Sequence, residues 1–286
     1  MFGGLEAGGT KFVCAVGTGP DDLVTHRIPT TTPAETLAAA LSWFRARDIR
    51  ALGIGSFGPV SLHPGTLNWG RVTTTPKPGW EGAEIAGVFA RGLGVPVAFD
   101  TDVNAAAVGE RRWGAAQGLD TFLYLTVGTG IGGGGYASGK RLHGLIHPEM
   151  GHILAPRAPG DSWPGHCRFH GACLEGLASG PAIAARCGVP AEDLPRDHTV
   201  WPLVAHTLAH GVYTLLCALS PERIILGGGV ASQPHLLQLV RKQLAELLGG
   251  YFAHPVLDDL DTFLVPPGLG NRSGALGALA LAEEVA

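Results

Sequence analysis

Charge is scarce in this chain. Its 286 residues include 20 Lys and Arg against 24 Asp and Glu, a formal net charge of -4. A nucleic-acid surface needs a clustered basic excess, and its absence argues against a phosphate-backbone partner. No unbroken apolar run of about eighteen residues occurs, so no membrane span is indicated. The opening MFGGLEAGGTKF lacks a basic stretch followed by an apolar core and does not read as a secretory signal. Cysteine is also sparse: Cys14, Cys167, Cys173, Cys187 and Cys217 are odd in number and unevenly spread. That is no disulfide framework. It fits a reducing compartment, with cytoplasm the expected location, and a local metal site.

Glycine, by contrast, is abundant at 44 residues, about twice its usual share. The glycines cluster at sharp turns between apolar runs, where backbone can approach a ligand that a Cβ would block. One such arrangement is written twice. GGLEAGGTKFVCAVG reads as strand, Gly8-Gly9-Thr10 turn, and a second strand from Lys11 to Val16. From Thr121 the same design recurs as TFLYLTV, a glycine turn through GTGIGGGG, and a returning YASG. Two such units suggest two related domains.

Between and after them, helices alternate with strands. Thr32-Pro33-Ala34-Glu35 is a capping box that opens a helix to about residue 47. A buried strand spans 51–56, a turn falls at Gly58-Pro59, and a helix after Trp80 runs to about residue 92. A strand at 97–100 leads to a helix at 103–113, with Asp102 expected at its N-cap. Helices are predicted at 180–187, 200–219 and 234–248, strands at 223–226 and 262–265, and a last helix from Ser273. The alternation makes the chain α/β.

One polar stretch resists this reading. HPEMGHILAPRAPGDSWPGHCRFHGACLEG, residues 147–176, places His152, Cys167, His170 and Cys173 at spacing H-x14-C-x2-H-x2-C, with Glu149 and Glu175 close by. Spacing alone leaves open a structural metal, a catalytic metal or an ordinary polar loop. His166, beside Cys167, is an alternative ligand. His206 and His210, four apart on a predicted helix, have no third partner in sight and read as surface or core residues.

Together, EAGGTK at 6–11, DTDVN at 100–104, the Gly128-Thr129-Gly130 turn and the Cys/His stretch resemble the ROK family (repressor, open reading frame, kinase) across essentially the whole chain. Within it, EAGGTK is most similar to the bacterial zinc-containing fructokinases. The resemblance implies a two-domain actin/hexokinase-like (ribonuclease H-like) α/β fold with an interdomain cleft. The expected domains are 1–108, completed by a helix at about 273–286, and 109–272, containing the metal loop 147–176.

It further implies an ATP-dependent kinase that needs Mg2+ and transfers the γ-phosphate to a hexose, D-fructose foremost. The implied base is Asp102, with Asp100 the competing carboxylate. Asn104, Glu149, His152 and Glu175 would contact the sugar. Gly8, Gly9, Thr10, Lys11, Gly128, Thr129, Gly130, Gly227, Gly228 and Gly229 would contact ATP. His152, Cys167, His170 and Cys173 would hold the structural Zn2+. A homodimer is the implied assembly. A glucokinase, mannokinase or amino-sugar kinase is the alternative within this chemistry. A sugar-sensing regulator is disfavoured because the first phosphate loop begins at Gly8, leaving no room ahead of it for a DNA-binding domain. An ATPase without a sugar is disfavoured by the Glu149, His152 and Glu175 set.

Overall fold

The computed structural model describes residues 1–286. They divide into two compact units, one of 1–118, 141–148 and 268–286, the other of 119–140 and 149–267. The boundary expected at 108 falls inside a helix that stays whole with the first unit. Residues 141–148, expected in the second domain, also join the first.

In chain order the first unit begins with β1 (Phe2–Ala7), β2 (Lys11–Gly17), β3 (Val24–Pro29), α1 (Pro33–Arg45), β4 (Leu52–Ser56), α2 (Ala86–Leu93), β5 (Val97–Thr101) and α3 (Asp102–Trp113). The second unit carries β6 (Phe122–Val127), β7 (Ile131–Ala137), β8 (Lys140–Arg141, its last residue already back in the first unit), α4 (Leu174–Ala178), α5 (Gly180–Cys187), α6 (Val200–Leu219), β9 (Arg223–Gly227), α7 (Leu236–Leu248), α8 (Pro255–Asp258), α9 (Leu260–Phe263) and β10 (Leu264–Val265). The chain then returns to the first unit with α10 (Ser273–Glu283).

The two sheets repeat one plan. In the first, of order β3-β2-β1-β4-β5, β1 pairs antiparallel with β2 and parallel with β4. In the second, of order β10-β9-β6-β7-β8, β6 pairs antiparallel with β7 and parallel with β9. The doubled hairpin read from the sequence is present. Two details differ. The glycine run after residue 131 is not turn but strand β7, where a Cβ on Gly133 would meet the Leu125 side chain at 2.7 Å. The strand expected at 262–265 is half strand, Leu264 and Val265 pairing with β9, and half the end of helix α9. Strand β3 lacked an apolar pattern to announce it, being exposed except at Ile28.

Alternation along β2 shows how the first sheet is covered. Phe12, Cys14 and Val16 join a core with Phe44 of α1 and Phe89 of α2, while Val13 and Ala15 pack with Ala275 of α10. Both faces of the sheet are therefore covered at β2, by α1 and α2 on one side and α10 on the other. On the α10 side the approach is closer than side chains permit. A Cβ on Gly53 would collide with the Ala278 carbonyl, and one on Gly277 with the Ala105 carbonyl. These contacts join α10 to β4 and α3, which explains why the 108 boundary fails.

Helix α6 is twenty residues long and apolar enough in composition to cross a membrane. No unbroken apolar run marks it in the sequence, because His206, Thr207 and His210 interrupt it. In the fold α6 packs on α7 and α4 and is half buried, the setting of a core helix.

Glu110 of α3 is fully buried and gathers four donors. Its carboxylate accepts from the N–H groups of Ala115 (2.7 Å), Gly268 (2.9 Å) and Leu269 (3.1 Å) and from the Ser273 hydroxyl (2.7 Å). These residues flank the places where the chain leaves and re-enters the first unit. Glu110→Ala would strand the donors, at about 1–3 kcal/mol for each left unsatisfied. We predict a fall in melting temperature of at least several degrees, read by calorimetry; a shift under about 2 °C would show that water replaces the carboxylate without cost.

Candidate active site and metal centre

Register sets the first half of the site. Ala7 pairs with Ser56, and Ser56 with Thr101, so β1, β4 and β5 leave the sheet at one carboxyl edge. The segments that follow are the Gly8-Gly9-Thr10 turn, Phe57-Gly58-Pro59, and Asp102. This is the edge at which parallel α/β sheets present ligand-binding loops. The first turn is closed by the Gly8 N–H on the Lys11 carbonyl at 3.0 Å, and Thr30 Oγ1 donates to the Gly8 carbonyl at 2.8 Å. Gly9 has open space around it, while Thr10 and Lys11 are exposed. Small, open and flanked by a lysine, such a turn suits an anion.

The start of α3 differs from expectation in one respect. Its N-cap is Thr101, whose Oγ1 accepts the Asn104 N–H at 3.1 Å, and Asp102 is the first helical residue. Asp102 is half-buried, with Oδ1 accepting the Val103 N–H at 2.9 Å. A carboxylate in a helix's first turn is favoured in its charged form by the dipole.

Asp100 is differently placed, only 2% exposed and already engaged. Its Oδ1 accepts from the Thr101 N–H (2.8 Å) and from Asn104 Nδ2 (2.9 Å). His143 Nε2 lies 3.1 and 3.0 Å from its two oxygens, and Arg141 Nε lies 3.4 Å from Oδ2. Asn104 is itself 1% exposed. Beside this cluster is a cavity of about 270 Å³, lined by Pro59, Val60, His63, Thr73, His143 and His147 among others. His147 Nε2 accepts the Val60 N–H at 3.0 Å, fixing the loop after Gly58-Pro59. His143, His147 and Thr101 escaped the sequence reading as functional residues. The signal available was the H-x3-H spacing just ahead of Glu149.

In the second unit, β6 and β9 also end level, with Thr126 opposite Gly227. The two glycine turns that follow are neighbours. A Cβ on Gly228, which has φ of +95°, would strike the Val127 backbone; on Gly128 it would lie 3.8 Å from the Gly229 nitrogen. The Gly180 N–H, at the start of α5, donates to the Gly128 carbonyl at 2.8 Å. Glu175 touches the same place: its Oε2 accepts the Ile131 N–H at 2.9 Å, and a Cβ on Gly130 would stand 2.7 Å from it. The two turns and one of the sugar-candidate glutamates are thus brought together.

His152, Cys167, His170 and Cys173 converge, with ligand atoms within 4.8 Å of one another. His152 Nδ1 lies 3.3 Å from His170 Nδ1, 3.5 Å from Cys173 Sγ and 3.9 Å from Cys167 Sγ; Cys167 Sγ lies 3.8 Å from His170 Nδ1. A regular tetrahedron around Zn2+ has N···N edges of about 3.3 Å and N···S edges of about 3.6 Å, given the usual bond lengths. The residues fit a zinc ion. Burial, together with the neighbouring Cys167 and Glu175, pushes the Cys173 thiol up to about 11; a divalent cation would favour the thiolate instead. His166 lies outside the cluster and gives its backbone N–H to the Gly176 carbonyl at 2.8 Å. The His206 and His210 rings lie 4.4 Å apart between centroids, tilted by 57°, with no third ligand. All five cysteines are free thiols.

With Nδ1 turned to the cluster, His152 presents Nε2 toward Glu149, 4.0 Å from its Oε2. One ring can therefore serve a metal and a polar ligand at once. Burial and the nearby Glu175 push the Glu149 carboxyl up to about 7.

The chain matches the ROK family model over residues 2–285. It is 43% identical to the fructokinase of Pediococcus pentosaceus, covering 99% of this chain and 98% of that protein. It is also 43% identical to the fructokinase of Zymomonas mobilis, covering 99% and 96%. Among solved structures, a ROK glucokinase from Streptomyces griseus in complex with glucose and AMPPNP superposes with a TM-score of 0.80 at 26% identity, covering 99% of both chains.

The cluster's tightness yields a prediction. A Cβ on Gly176 would collide with the Gly171 carbonyl and stand 3.0 Å from the Cys167 Cβ. Overpacking of this kind costs about 1–3 kcal/mol, and here the yielding element carries Cys167 and His170. By elemental analysis after reconstitution, the unmodified protein should hold one zinc per chain and Gly176→Ala well under one. Full occupancy would mean the loop absorbs the methyl without moving its ligands.

Proposed function

The chain belongs to the ROK family, and from that membership we propose that it is an ATP-dependent hexose kinase that phosphorylates D-fructose to fructose 6-phosphate in the cytoplasm. The observation that carries the reading is the division of labour between two aspartates two residues apart. Asp100 is buried and committed to Thr101, Asn104 and His143, while Asp102 stands at the helix start at the sheet's carboxyl edge. Asp102 is the base.

In this account the Asp102 carboxylate accepts the proton of the attacking sugar hydroxyl as its oxygen bonds the γ-phosphorus. The bond from that phosphorus to the bridging oxygen breaks, and ADP leaves. The Gly8-Gly9-Thr10 and Gly128-Thr129-Gly130 turns, with Lys11, hold the phosphates, the Gly8 and Gly128 N–H groups closing the turns on the Lys11 and Gly130 carbonyls. The Gly227-Gly228-Gly229 turn holds the adenosine side. Mg2+ arriving with ATP supplies charge neutralisation at the phosphates. Asn104, Glu149, His152 and Glu175 hydrogen-bond the sugar hydroxyls.

The Cys/His centre binds a structural Zn2+ through His152, Cys167, His170 and Cys173, with no ligand position left for substrate. A homodimer is part of the same reading. Fructose rather than glucose is supported by the fructokinases at 43% identity; glucose remains the alternative acceptor, supported by a glucokinase relative from Streptomyces coelicolor at 29% identity.

Two measurements test this. Asp102→Asn should lower kcat by about 10²–10⁴-fold or more with ATP binding nearly intact; turnover within threefold of the unmodified protein would reduce Asp102 to a structural residue. In a hexose panel, kcat/KM for fructose should exceed that for glucose at least tenfold, equivalent to about 1.4 kcal/mol of transition-state discrimination. A glucose or mannose preference would overturn the acceptor and leave the kinase standing.

A further inference from the structure

The segment Arg141–Pro148 leaves the second unit after Lys140 and returns to it at Glu149. Within the first unit it is tied down along its length. Arg141 Nη1 donates to both oxygens of Glu284 at 2.9 and 2.7 Å. His63 Nε2 is 3.0 Å from the Leu145 carbonyl, and His147 Nε2 accepts from Val60. His143 makes the remaining tie, to Asp100.

We infer that His143 is a positioning residue for phosphoryl transfer, holding the Asp100 carboxylate so that it fixes the start of α3 and with it Asp102. This rests on the reading of Asp102 as the base. The chemistry of the contact assigns the proton. A carboxylate can only accept, so the ring nitrogen facing it, Nε2, is the one bearing hydrogen. That nitrogen spans both oxygens, at 3.1 and 3.0 Å, and so fixes the rotation of the carboxylate about its own axis.

Rotation matters here because Oδ1 also receives the Thr101 N–H and Asn104 Nδ2. Those two residues bracket Asp102, and they are further linked by the Thr101 cap on the Asn104 N–H. Turning the Asp100 carboxylate therefore disturbs the backbone on either side of Asp102. Arg141 is a weaker substitute. Its Nε is 3.4 Å from Oδ2, and its guanidinium is held by Glu284. The His143 ring also lines the 270 Å³ cavity, with its side chain 41% exposed, so it belongs to the rim of the site rather than the core. Its loss should spare folding. Geometry is the whole of its role, and a displacement of about 1 Å at a reacting group can cost about 10²-fold.

The test compares His143→Ala, His143→Gln and Asp102→Asn in steady-state kinetics with fructose and ATP, alongside thermal melts. The glutamine amide can place an N–H where Nε2 stands; alanine cannot. His143→Ala should lower kcat about 10- to 100-fold with the KM for ATP within twofold and the melting temperature little changed, and His143→Gln should return kcat to within about fivefold. A folded His143→Ala enzyme with kcat within twofold of the unmodified protein overturns the inference, as does a His143→Gln enzyme as slow as the alanine variant. If alanine prevents folding, His143→Asn replaces it: its shorter amide cannot reach, so asparagine must be markedly slower than glutamine, and equal rates overturn the proposal. Asp102→Asn separates the two claims. Full activity there sinks the base assignment, whereas an inactive Asp102→Asn beside an unimpaired His143→Ala sinks only the positioning role.

Discussion

A polar loop rich in glycine and proline cannot fix its own shape by burying apolar surface, and residues 147–176 are such a loop. What holds it is the convergence of two imidazoles and two thiols on one point, with nitrogens 3.3 Å apart and a nitrogen–sulfur contact of 3.5 Å. Without a cation these groups crowd one another; with Zn2+ their separations become the edges of a tetrahedron. Everything proposed for the sugar side of the second unit hangs from this centre. His152 belongs to the cluster and lies beside Glu149; Cys173, also of the cluster, caps α4, whose second residue is Glu175. A metal of this kind contributes folding energy to the loop and geometry to the site, without taking part in bond breaking.

The first unit solves the same positioning problem with backbone packing. Glycines at 53 and 277 let α10 lie against β4 and α3 at backbone contact, so the helix that carries Asp102 rests on a rigid layer. Asp100 then ties that helix's first turn to the strand before it. The two units share a sheet plan, and each ends its parallel strands level, so their glycine turns follow at the carboxyl edge. One uses close-packed glycine and a buried carboxylate to hold its candidate residues, the other a Cys/His cluster whose donors fit a zinc ion.

Much of this was legible in the sequence because short local signals carried it. The turn at Gly8, the turn at Gly128, the D-x-N step at 102–104 and the Cys/His spacing each declare themselves within a few residues. What escaped depends on partners far along the chain. Nothing local shows that the glycines of β7 are strand residues thinned for packing, since the reason lies in Leu125 and in Met150 beyond it. Thr101 and Asp102 are both competent caps, and only the backbone angles choose Thr101. The placement of 141–148 follows from contacts of His143 with Asp100 and His147 with Val60, more than forty residues away. Strand β10 is two residues long, so the strand expected at 262–265 overran it into α9.

The account stands or falls on whether the Cys/His centre organises sugar binding without governing nucleotide binding. The glycine turns have fastenings of their own: the Gly128 N–H bonds the Gly130 carbonyl at 2.9 Å, and the Val230 N–H bonds the Val127 carbonyl at 2.9 Å. Titration calorimetry of fructose and of a non-hydrolysable ATP analogue, on zinc-loaded protein and on protein stripped by a chelator, compares the two directly. Stripping should weaken fructose binding by about 10²-fold, the scale of a 1 Å misplacement, and leave the analogue's affinity within about threefold. Stripped protein that binds fructose as tightly as the zinc-loaded form would contradict the account.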